Sequence, residues 1–273
     1  MATGIVALLG QGIAYSASLA LQSAAFAAAD LDWRYELVDV PPSELAAAVE
    51  HLRQDPYRGA NVTIPHKVAV LPMLNALEAD ARRAGAVNTI RREGGRLIGS
   101  NTDVTGLRAA LGAAGVEATG AAAVVLGAGG AARACGLALS GAGVTFVARE
   151  PSRAVGLPGT VLSWGDPTWQ ALARRADVLI NATPLGRQGE MPIRPGGLPL
   201  SGAVIDLVYV AGGTPLVRSS RRLGLRCVDG WSILLAQGAA AFQAWTGREA
   251  PLSAMRAALP PGAIAAAGEL DLQ

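Results

Sequence analysis

The sequence predicts an α/β fold of two domains with largely parallel sheets. Strand-like and helix-like patterns alternate along the chain, which is typical of this class. An apolar, β-branched run at residues 124–126 also stops at a cluster of glycines, and a small-residue helical pattern follows it. The 273 residues, 51 % of them hydrophobic, are enough for one large or two ordinary cores.

In the N-terminal part of the chain, the residue pattern predicts strands at residues 5–9, 35–38 and 60–62, and helices at 19–29, 43–53 and 74–84. A hairpin follows over residues 87–99, with its turn at residues 93–95, and a helix starts at Asp103. Residues 1–29 carry no charged side chain, but no Lys or Arg opens this stretch and polar residues interrupt it. We therefore expect a strand, a turn and a helix rather than a signal peptide or a membrane span.

The second half continues with strands at residues 144–148, 161–162, 178–181, 204–206 and 226–228. A long helix over residues 232–245 and a last one near 252–258 follow, and residues 262–273 are expected to form a weakly ordered tail.

The glycine cluster matches the fingerprint of a dinucleotide site. Gly127, Gly129 and Ala132 fit G-x-G-x-x-[G/A] between a strand and a helix. Gly127 permits the tight turn, Gly129 lets the backbone approach the phosphates, and Ala132 allows close helix packing. The N-terminus of the helix then offers N–H groups to the pyrophosphate. The pattern predicts a Rossmann-like domain whose cofactor lies in a cleft beside the other domain.

Composition excludes several other classes of function. The net charge is +2 without any Lys/Arg-rich run, so we expect no nucleic-acid partner. Cys135 and Cys227 form no disulfide framework, and two histidines, His51 and His66, leave little scope for a zinc site. We expect a soluble, cytoplasmic protein with no metal and no membrane association.

Polar clusters after apolar strands are the candidates for chemistry. Lys67 follows a strand ending at Asn61 and Thr63, and it is the single lysine of a chain whose other permanently cationic side chains are all arginines. A lysine can exchange a proton near neutral pH and an arginine cannot, although Lys67 could also be a surface residue of a helix's first turn. Asp103 could cap its helix or pair with Lys67. Asn88 could be a turn residue or a ligand of a polyol.

Seven motifs in order identify a resemblance that covers about residues 10–247. They are Asn61-Val62-Thr63-x-Pro65-x-Lys67, Ala86-Val87-Asn88-Thr89, Asn101-Thr102-Asp103-x-x-Gly106, Gly127-Ala128-Gly129-Gly130-Ala131, Asn181-Ala182-Thr183-Pro184-x-Gly186, Asp206-Leu207-Val208-Tyr209 and Gln237-x-x-x-x-Phe242-x-x-Trp245-Thr246-Gly247. Together they resemble the shikimate dehydrogenase family.

The resemblance implies reversible, NADP-linked reduction of 3-dehydroshikimate to shikimate in aromatic amino acid biosynthesis. It implies a substrate and catalytic domain of residues 1–103, with residues 237–273 packing back on it, and a Rossmann NADP-binding domain of residues 104–236. Lys67 and Asp103 would be the catalytic pair. The implied substrate-binding residues are Ser16, Ser18, Asn61, Thr63, Asn88, Tyr209 and Gln237. The implied cofactor-binding residues are Gly127, Ala128, Gly129, Gly130, Ala131, Arg149, Arg153, Asn181, Ala182, Thr183, Leu207 and Gly230.

Two segments depart from the family pattern. Tyr15-Ser16-Ala17-Ser18-Leu19 stands where the family has His-Ser-x-Ser-Pro, which leaves shikimate, quinate and an amino analogue open. After the second Rossmann strand, Arg149 and Arg153 could bind the 2′-phosphate of NADP, whereas Glu150 could accept from the free ribose of NAD. We favour NADP.

Two alternatives remain at this point. One is an NAD-dependent quinate/shikimate or aminoshikimate dehydrogenase, and the other is a non-catalytic metabolite-binding protein on the same fold. A monomer and a homodimer are both compatible with the sequence.

Overall fold

A computed structural model describes residues 3–261 and 263 of the chain, which form two compact units. The first unit contains the described residues up to Asp103 together with Leu235–Leu259, and the second contains Val104–Leu234 and the described residues from Pro260 onward. The boundaries between the domains were predicted to fall after residues 103 and 236. The assignment of substrate to one unit and dinucleotide to the other stays a prediction. The predicted tail beyond residue 263 lies outside the described residues.

The first unit contains a six-stranded mixed sheet. Its strands are β1 (Gly4–Gly10), β2 (Trp33–Asp39), β3 (Tyr57–Val62), β4 (Ala76–Leu77), β5 (Thr89–Glu93) and β6 (Arg96–Ser100), in the order β2-β1-β3-β5-β6-β4. β1 runs parallel to β2 and β3, but β5 is antiparallel to both β3 and β6. The expected hairpin accounts for the antiparallel pairing of β5 with β6, because the turn at Gly94 and Gly95, both with positive φ, sends the chain straight back.

The helices of this part of the chain are α1 (Ser18–Ala28), α2 (Leu45–His51), α3 (Ala79–Ala84), α4 (Thr102–Ala113), α8 (Gly230–Thr246) and α9 (Leu252–Ala257), the numbers following chain order. The division between the units falls inside α4 and inside α8. A buried cluster that includes Leu9, Val62 and Ile90 forms the core of the first unit.

The predicted helix over residues 74–84 is wrong in its first half. A 3-10 turn at Leu71–Met73 precedes that stretch, strand β4 lies within it, and α3 begins only at Ala79. The backbone N–H of Asn75 donates to the carbonyl of Leu97, and that of Glu78 donates to the carbonyl of Gly99. Pairing with β6 therefore takes the backbone groups that a helix would have used, and local periodicity cannot reveal such a tertiary contact.

The second unit contains a six-stranded parallel sheet. Its strands are β7 (Ala122–Leu126), β8 (Gly143–Ala148), β9 (Thr160–Ser163), β10 (Val178–Asn181), β11 (Ala203–Asp206) and β12 (Arg226–Val228), and its remaining helices are α5 (Gly130–Ala138), α6 (Thr168–Arg175) and α7 (Pro215–Arg222). The strand order β12-β11-β10-β7-β8-β9 is that of a doubly wound dinucleotide-binding domain. The order reverses between β7 and β10, and ligands of such sheets bind outside the carboxyl ends of the strands at that point.

Candidate active site

Lys67 lies in the short turn that follows β3. Pro65 prevents the strand from continuing because it has no N–H to donate. The ring of His66 is buried, with Nε2 at 2.7 Å from the carbonyl oxygen of Val40. The carbonyl of Lys67 accepts from the N–H of Val87 at 2.7 Å. These contacts fix the turn on both sides, so the backbone of Lys67 has a defined position.

The ammonium of Lys67 is paired with the carboxylate of Asp103. Nζ lies 2.5 Å from Oδ2, and the two side chains are 16 % and 12 % exposed. Asp103 lies in the first turn of α4, where the helix dipole favours a negative charge. The sequence left open whether Asp103 caps its helix or pairs with Lys67, and the structure shows the pair.

Asn88 lies at the centre of the hydrogen bonds around this pair. Its Nδ2 donates to Oδ1 of Asp103 at 2.8 Å and lies 3.4 Å from Oε1 of Gln237. Its Oδ1 accepts from the backbone N–H of Thr102 at 2.7 Å. Asn88 is buried, so these contacts are shielded from water. The network brings Lys67, Asn88, Asp103 and Gln237 together within the first unit.

The side-chain amide of Asn61 is hydrogen-bonded to other residues of the first unit. Its Oδ1 accepts from the hydroxyl of Tyr35 at 2.7 Å, and its Nδ2 donates to the carbonyl of Asn88 at 3.1 Å and to Oγ1 of Thr89 at 3.0 Å. Both amide hydrogens are therefore used to connect β3 with β5 and with Asn88. Contact of Asn61 with a substrate stays a prediction.

The other predicted substrate-binding side chains of the first unit lie at the start of α1 and directly after β3. Oγ of Ser16 accepts from the N–H of Ser18 at 3.3 Å, where the loop after β1 enters α1. Thr63 directly follows β3, and its Cγ2 would lie 2.4 Å from a Cβ added to Gly10, so it packs closely on the end of β1. Ser16 and Thr63 are half-buried and Ser18 is buried.

The glycine-rich turn between β7 and α5 fits the pyrophosphate of a dinucleotide. Gly127 has a φ of +114°, and a Cβ there would lie 3.0 Å from the carbonyl oxygen of Ala182. Gly129 precedes α5, no side chain caps that helix, and a Cβ on Gly129 would meet nothing within 4 Å. The first N–H groups of the helix can therefore face an anion. The same turn contains Ala128, Gly130 and Ala131.

The turn after β10 lies against Gly127. Asn181 is fully buried, its Oδ1 accepts from the N–H and the hydroxyl of Thr183 at 3.1 and 2.7 Å, and its Nδ2 donates to the carbonyl of Leu185 at 2.9 Å. The predicted cofactor contacts at Asn181, Ala182 and Thr183 thus belong to one turn. In this turn, the Asn181 side chain shapes the backbone.

Leu207 and Gly230 are brought next to each other. A Cβ on Gly230 would lie 2.7 Å from the carbonyl oxygen of Leu207, so only glycine permits this approach of the two backbones. Tyr209 packs its ring on that of Trp231, with centroids 4.8 Å apart. The predicted contacts of Leu207, Tyr209 and Gly230 therefore come from one part of the second unit.

Arg149 follows β8 directly and is exposed, as is its neighbour Glu150. A guanidinium in this position suits a phosphate on the adenosine ribose. The backbone of Arg153 lies in the next 3-10 turn, and its side chain lies outside the described part of the chain. The side chain of Arg133, from α5, donates to the carbonyl of Val155 at 2.7 Å and so ties this segment to the helix of the glycine-rich turn.

Asp206 is a buried carboxylate beside the turn at Asn181, and in the sequence it stands out only as part of a motif. It ends β11, is fully buried, and accepts from Asn181 Nδ2 at 2.9 Å, from the N–H of Val208 at 3.0 Å and from the Thr214 hydroxyl at 2.6 Å. Burial raises the pKa of Asp206 to about 6. The signal in the sequence is a carboxylate at the end of the wholly apolar run 203–205.

The described residues contain no group of three or more His, Cys, Asp or Glu side chains that could hold a metal ion. Over the same part of the chain, every helix is too short or too polar to cross a membrane.

Comparison with known proteins identifies two matching family models. Residues 8–90 match the shikimate dehydrogenase substrate binding domain, and residues 230–259 match the shikimate 5′-dehydrogenase C-terminal domain. The chain is 44 % identical over 269 residues to a shikimate dehydrogenase (NADP(+)) of Moorella thermoacetica, covering 93 % of this chain and 91 % of the relative.

Two solved structures resemble the chain over nearly its whole length. One is the shikimate 5-dehydrogenase of Thermus thermophilus in complex with NADP(H) and shikimate, with 36 % identity and a TM-score of 0.81, covering 93 % of this chain and 99 % of that one. The other is the shikimate dehydrogenase of Aquifex aeolicus, with 31 % identity and a TM-score of 0.85, covering 94 % and 97 %.

Proposed function

This chain belongs to the shikimate dehydrogenase family, and we propose that it catalyses the reversible, NADP-linked conversion of 3-dehydroshikimate to shikimate, with Lys67 and Asp103 as the acid–base pair. It is an NADP-dependent oxidoreductase acting on a CH–OH group, like the relatives that carry this name. NADPH would supply the hydride. The side chains of the chain itself have to bind the substrate, orient it and move one proton.

Lys67 would exchange that proton. When the substrate carbonyl is reduced, negative charge develops on its oxygen, and an ammonium placed beside it stabilises this charge and can donate its proton. Lys67 is the only lysine in the sequence, whereas arginine supplies every other side chain that is always cationic. An arginine could stabilise the charge but could not give up the proton.

Asp103 would hold Lys67 in position and bind a neighbouring hydroxyl of the substrate. The observation that carries the proposal is the 2.5 Å pair of Lys67 and Asp103, with the second carboxylate oxygen held by Asn88. Gln237 lies within reach of the same amide. A small polyol acid needs several hydrogen bonds and little apolar surface, and this network provides polar groups of that kind.

The second unit would hold the cofactor. The open space at Gly129 and the uncapped start of α5 suit the pyrophosphate, and the exposed Arg149 suits the 2′-phosphate. Glu150, next to Arg149, is the feature that favours the NAD-dependent alternative, because a carboxylate can accept from a free ribose hydroxyl.

Three proteins test the acid–base assignment: the wild type, Lys67→Ala and Lys67→Arg. We expect both variants to lose about 10²- to 10⁴-fold in kcat, the range typical of a lost general acid–base group, while the Kd of shikimate changes only a few-fold. Lys67→Arg is the matched control, because it keeps the positive charge beside Asp103 but cannot release a proton near neutral pH. If Lys67→Arg turns over at the wild-type rate, the charge alone suffices and the proton-transfer role is wrong.

The substrate assignment is tested by initial rates with shikimate or quinate and with NADP or NAD. We expect fast turnover with shikimate and NADP. Turnover with only quinate or only NAD would move the assignment to the rival dehydrogenase, and binding of shikimate without turnover in any combination would support the non-catalytic alternative.

A further inference from the structure

Asp206 connects three separate segments of the second unit through its two carboxylate oxygens. Oδ1 accepts from Asn181 at the end of β10 and from the backbone N–H of Val208. Oδ2 accepts from Thr214, whose own Oγ1 accepts from the N–H of Val217 and so caps α7. Each oxygen is directed at donors, which is the arrangement an ionised carboxylate prefers.

Two sets of contacts connect Asn181, and through it Asp206, with the glycine-rich turn. The side chain of Asn181 shapes the turn through Thr183 and Leu185, and Ala182 within that turn is the group that a Cβ on Gly127 would touch at 3.0 Å. The position of the backbone at Ala182 and the position of Gly127 are therefore coupled by direct packing. This packing lies at the strand-order reversal, where a doubly wound sheet binds its ligand.

A carboxylate is a costly group at this position. Asp206 is fully buried, and burial raises its pKa to about 6. The charged or titratable groups around it are Asp229, which also raises its pKa, and the thiol of Cys227, whose own pKa is raised to about 12. Arg221 is paired with Asp229 at 2.9 Å. No cation is among the three donors that Asp206 accepts from, so its charge is stabilised by hydrogen bonds.

We propose that Asp206 is a positioning residue of the dinucleotide site, whose carboxylate holds the Asn181–Thr183–Leu185 turn against Gly127 and so sets the surface that the cofactor meets. The inference rests on the proposed function for the identity of the ligand. Asp206 is too buried to touch the cofactor, so its effect passes through Asn181.

The test compares the Kd of NADP+ and the kcat at saturating cofactor for the wild type, Asp206→Ala and Asp206→Asn. Alanine removes one of the two acceptors of Asn181 Nδ2 and leaves only the carbonyl of Leu185. We expect the Kd of NADP+ to rise about tenfold or more, with kcat changing only a few-fold. Asparagine keeps an acceptor oxygen toward Asn181, and we expect it to restore the Kd to within about threefold of the wild type.

Asp177→Asn is the control. Its Oδ2 accepts from the N–H of Ala122 at 2.8 Å, and it precedes β10 at the end of the strand opposite to Asn181. We expect its Kd to equal that of the wild type. If Asp206→Ala does not fold, Asn181→Ala removes the other partner of the same bond and should raise the Kd in the same way.

The outcomes separate the two proposals. A wild type that does not bind NADP+ refutes both the proposed function and the inference. A wild type that binds NADP+, together with a folded Asp206→Ala or Asn181→Ala of unchanged Kd, refutes the inference alone. An Asp206→Asn variant as weak as Asp206→Ala would also overturn it, because the hydrogen bond would then not be the cause.

Discussion

Replacing Asp206 by asparagine should stabilise the folded protein at neutral pH. The pKa of this carboxyl is raised from 3.8 to about 6 by burial, so its ionised form costs the folded state about 3 kcal/mol at pH 7. Asparagine has nearly the same shape and keeps the acceptor oxygen toward Asn181 and the N–H of Val208. The substitution therefore removes the cost of the buried charge and keeps two of the three hydrogen bonds.

The pH dependence distinguishes this effect from a change in packing. Between about pH 4 and pH 6 the folded state keeps a proton on Asp206 that the unfolded state has released. The wild type therefore has this contribution to stability in full below pH 3.8 and loses it as the pH rises through about 6. An asparagine does not titrate. As the pH rises from about 4 to about 6, the unfolding free energy of Asp206→Asn should increase relative to that of the wild type by up to about 3 kcal/mol. Above this interval the difference between the two proteins should stay constant.

The measurement is urea unfolding of both proteins at steps from pH 4.5 to pH 8, followed by far-UV circular dichroism. Asp177→Asn serves as the control, because this exposed carboxylate also accepts from a backbone N–H within the same unit. A difference between Asp206→Asn and the wild type that is the same at pH 5 and pH 7.5 would show that the carboxyl does not titrate in this interval, and the reasoning would be refuted.

Two glycines and one amide give further predictions. Gly127→Ala places an L residue at a φ of +114° and a Cβ 3.0 Å from Ala182, so it should cost about 1–3 kcal/mol of stability and weaken NADP+ binding. Gly129→Ala is the matched control: it should leave the unfolding midpoint unchanged and weaken only NADP+ binding, because its Cβ enters open space. If the two variants unfold at the same midpoint, the predicted difference between Gly127 and Gly129 is wrong. Asn88→Ala should lower stability by about 1–3 kcal/mol in urea unfolding and reduce kcat, because Asp103 loses a buried donor. Unchanged kcat would contradict the role given to this network.

The sequence predicted correctly those strands and helices that depend on the local pattern of apolar residues. The apolar run before Gly127 and the small-residue helix after it specify a strand and a helix by periodicity, and both are present. Over residues 74–84 the same reasoning is wrong, because the pairing of Asn75 with Leu97 is a contact between segments far apart in the chain. Helices α6 and α7 were expected only from the general alternation of strand and helix patterns, without positions of their own.

The sequence by itself determined the α/β class, the glycine-rich turn and the identity of Lys67 as an unusual cation, since each depends on residue types and spacings along the chain. Only the tertiary structure decided that Asp103 pairs with Lys67 and that Asn61 is turned toward Tyr35. It alone showed that Asp206 holds the turn at Asn181. The physical reason is that a hydrogen bond selects its partner by distance and burial. Both depend on which strands become neighbours, and the spacing of residues along one strand carries no information about that.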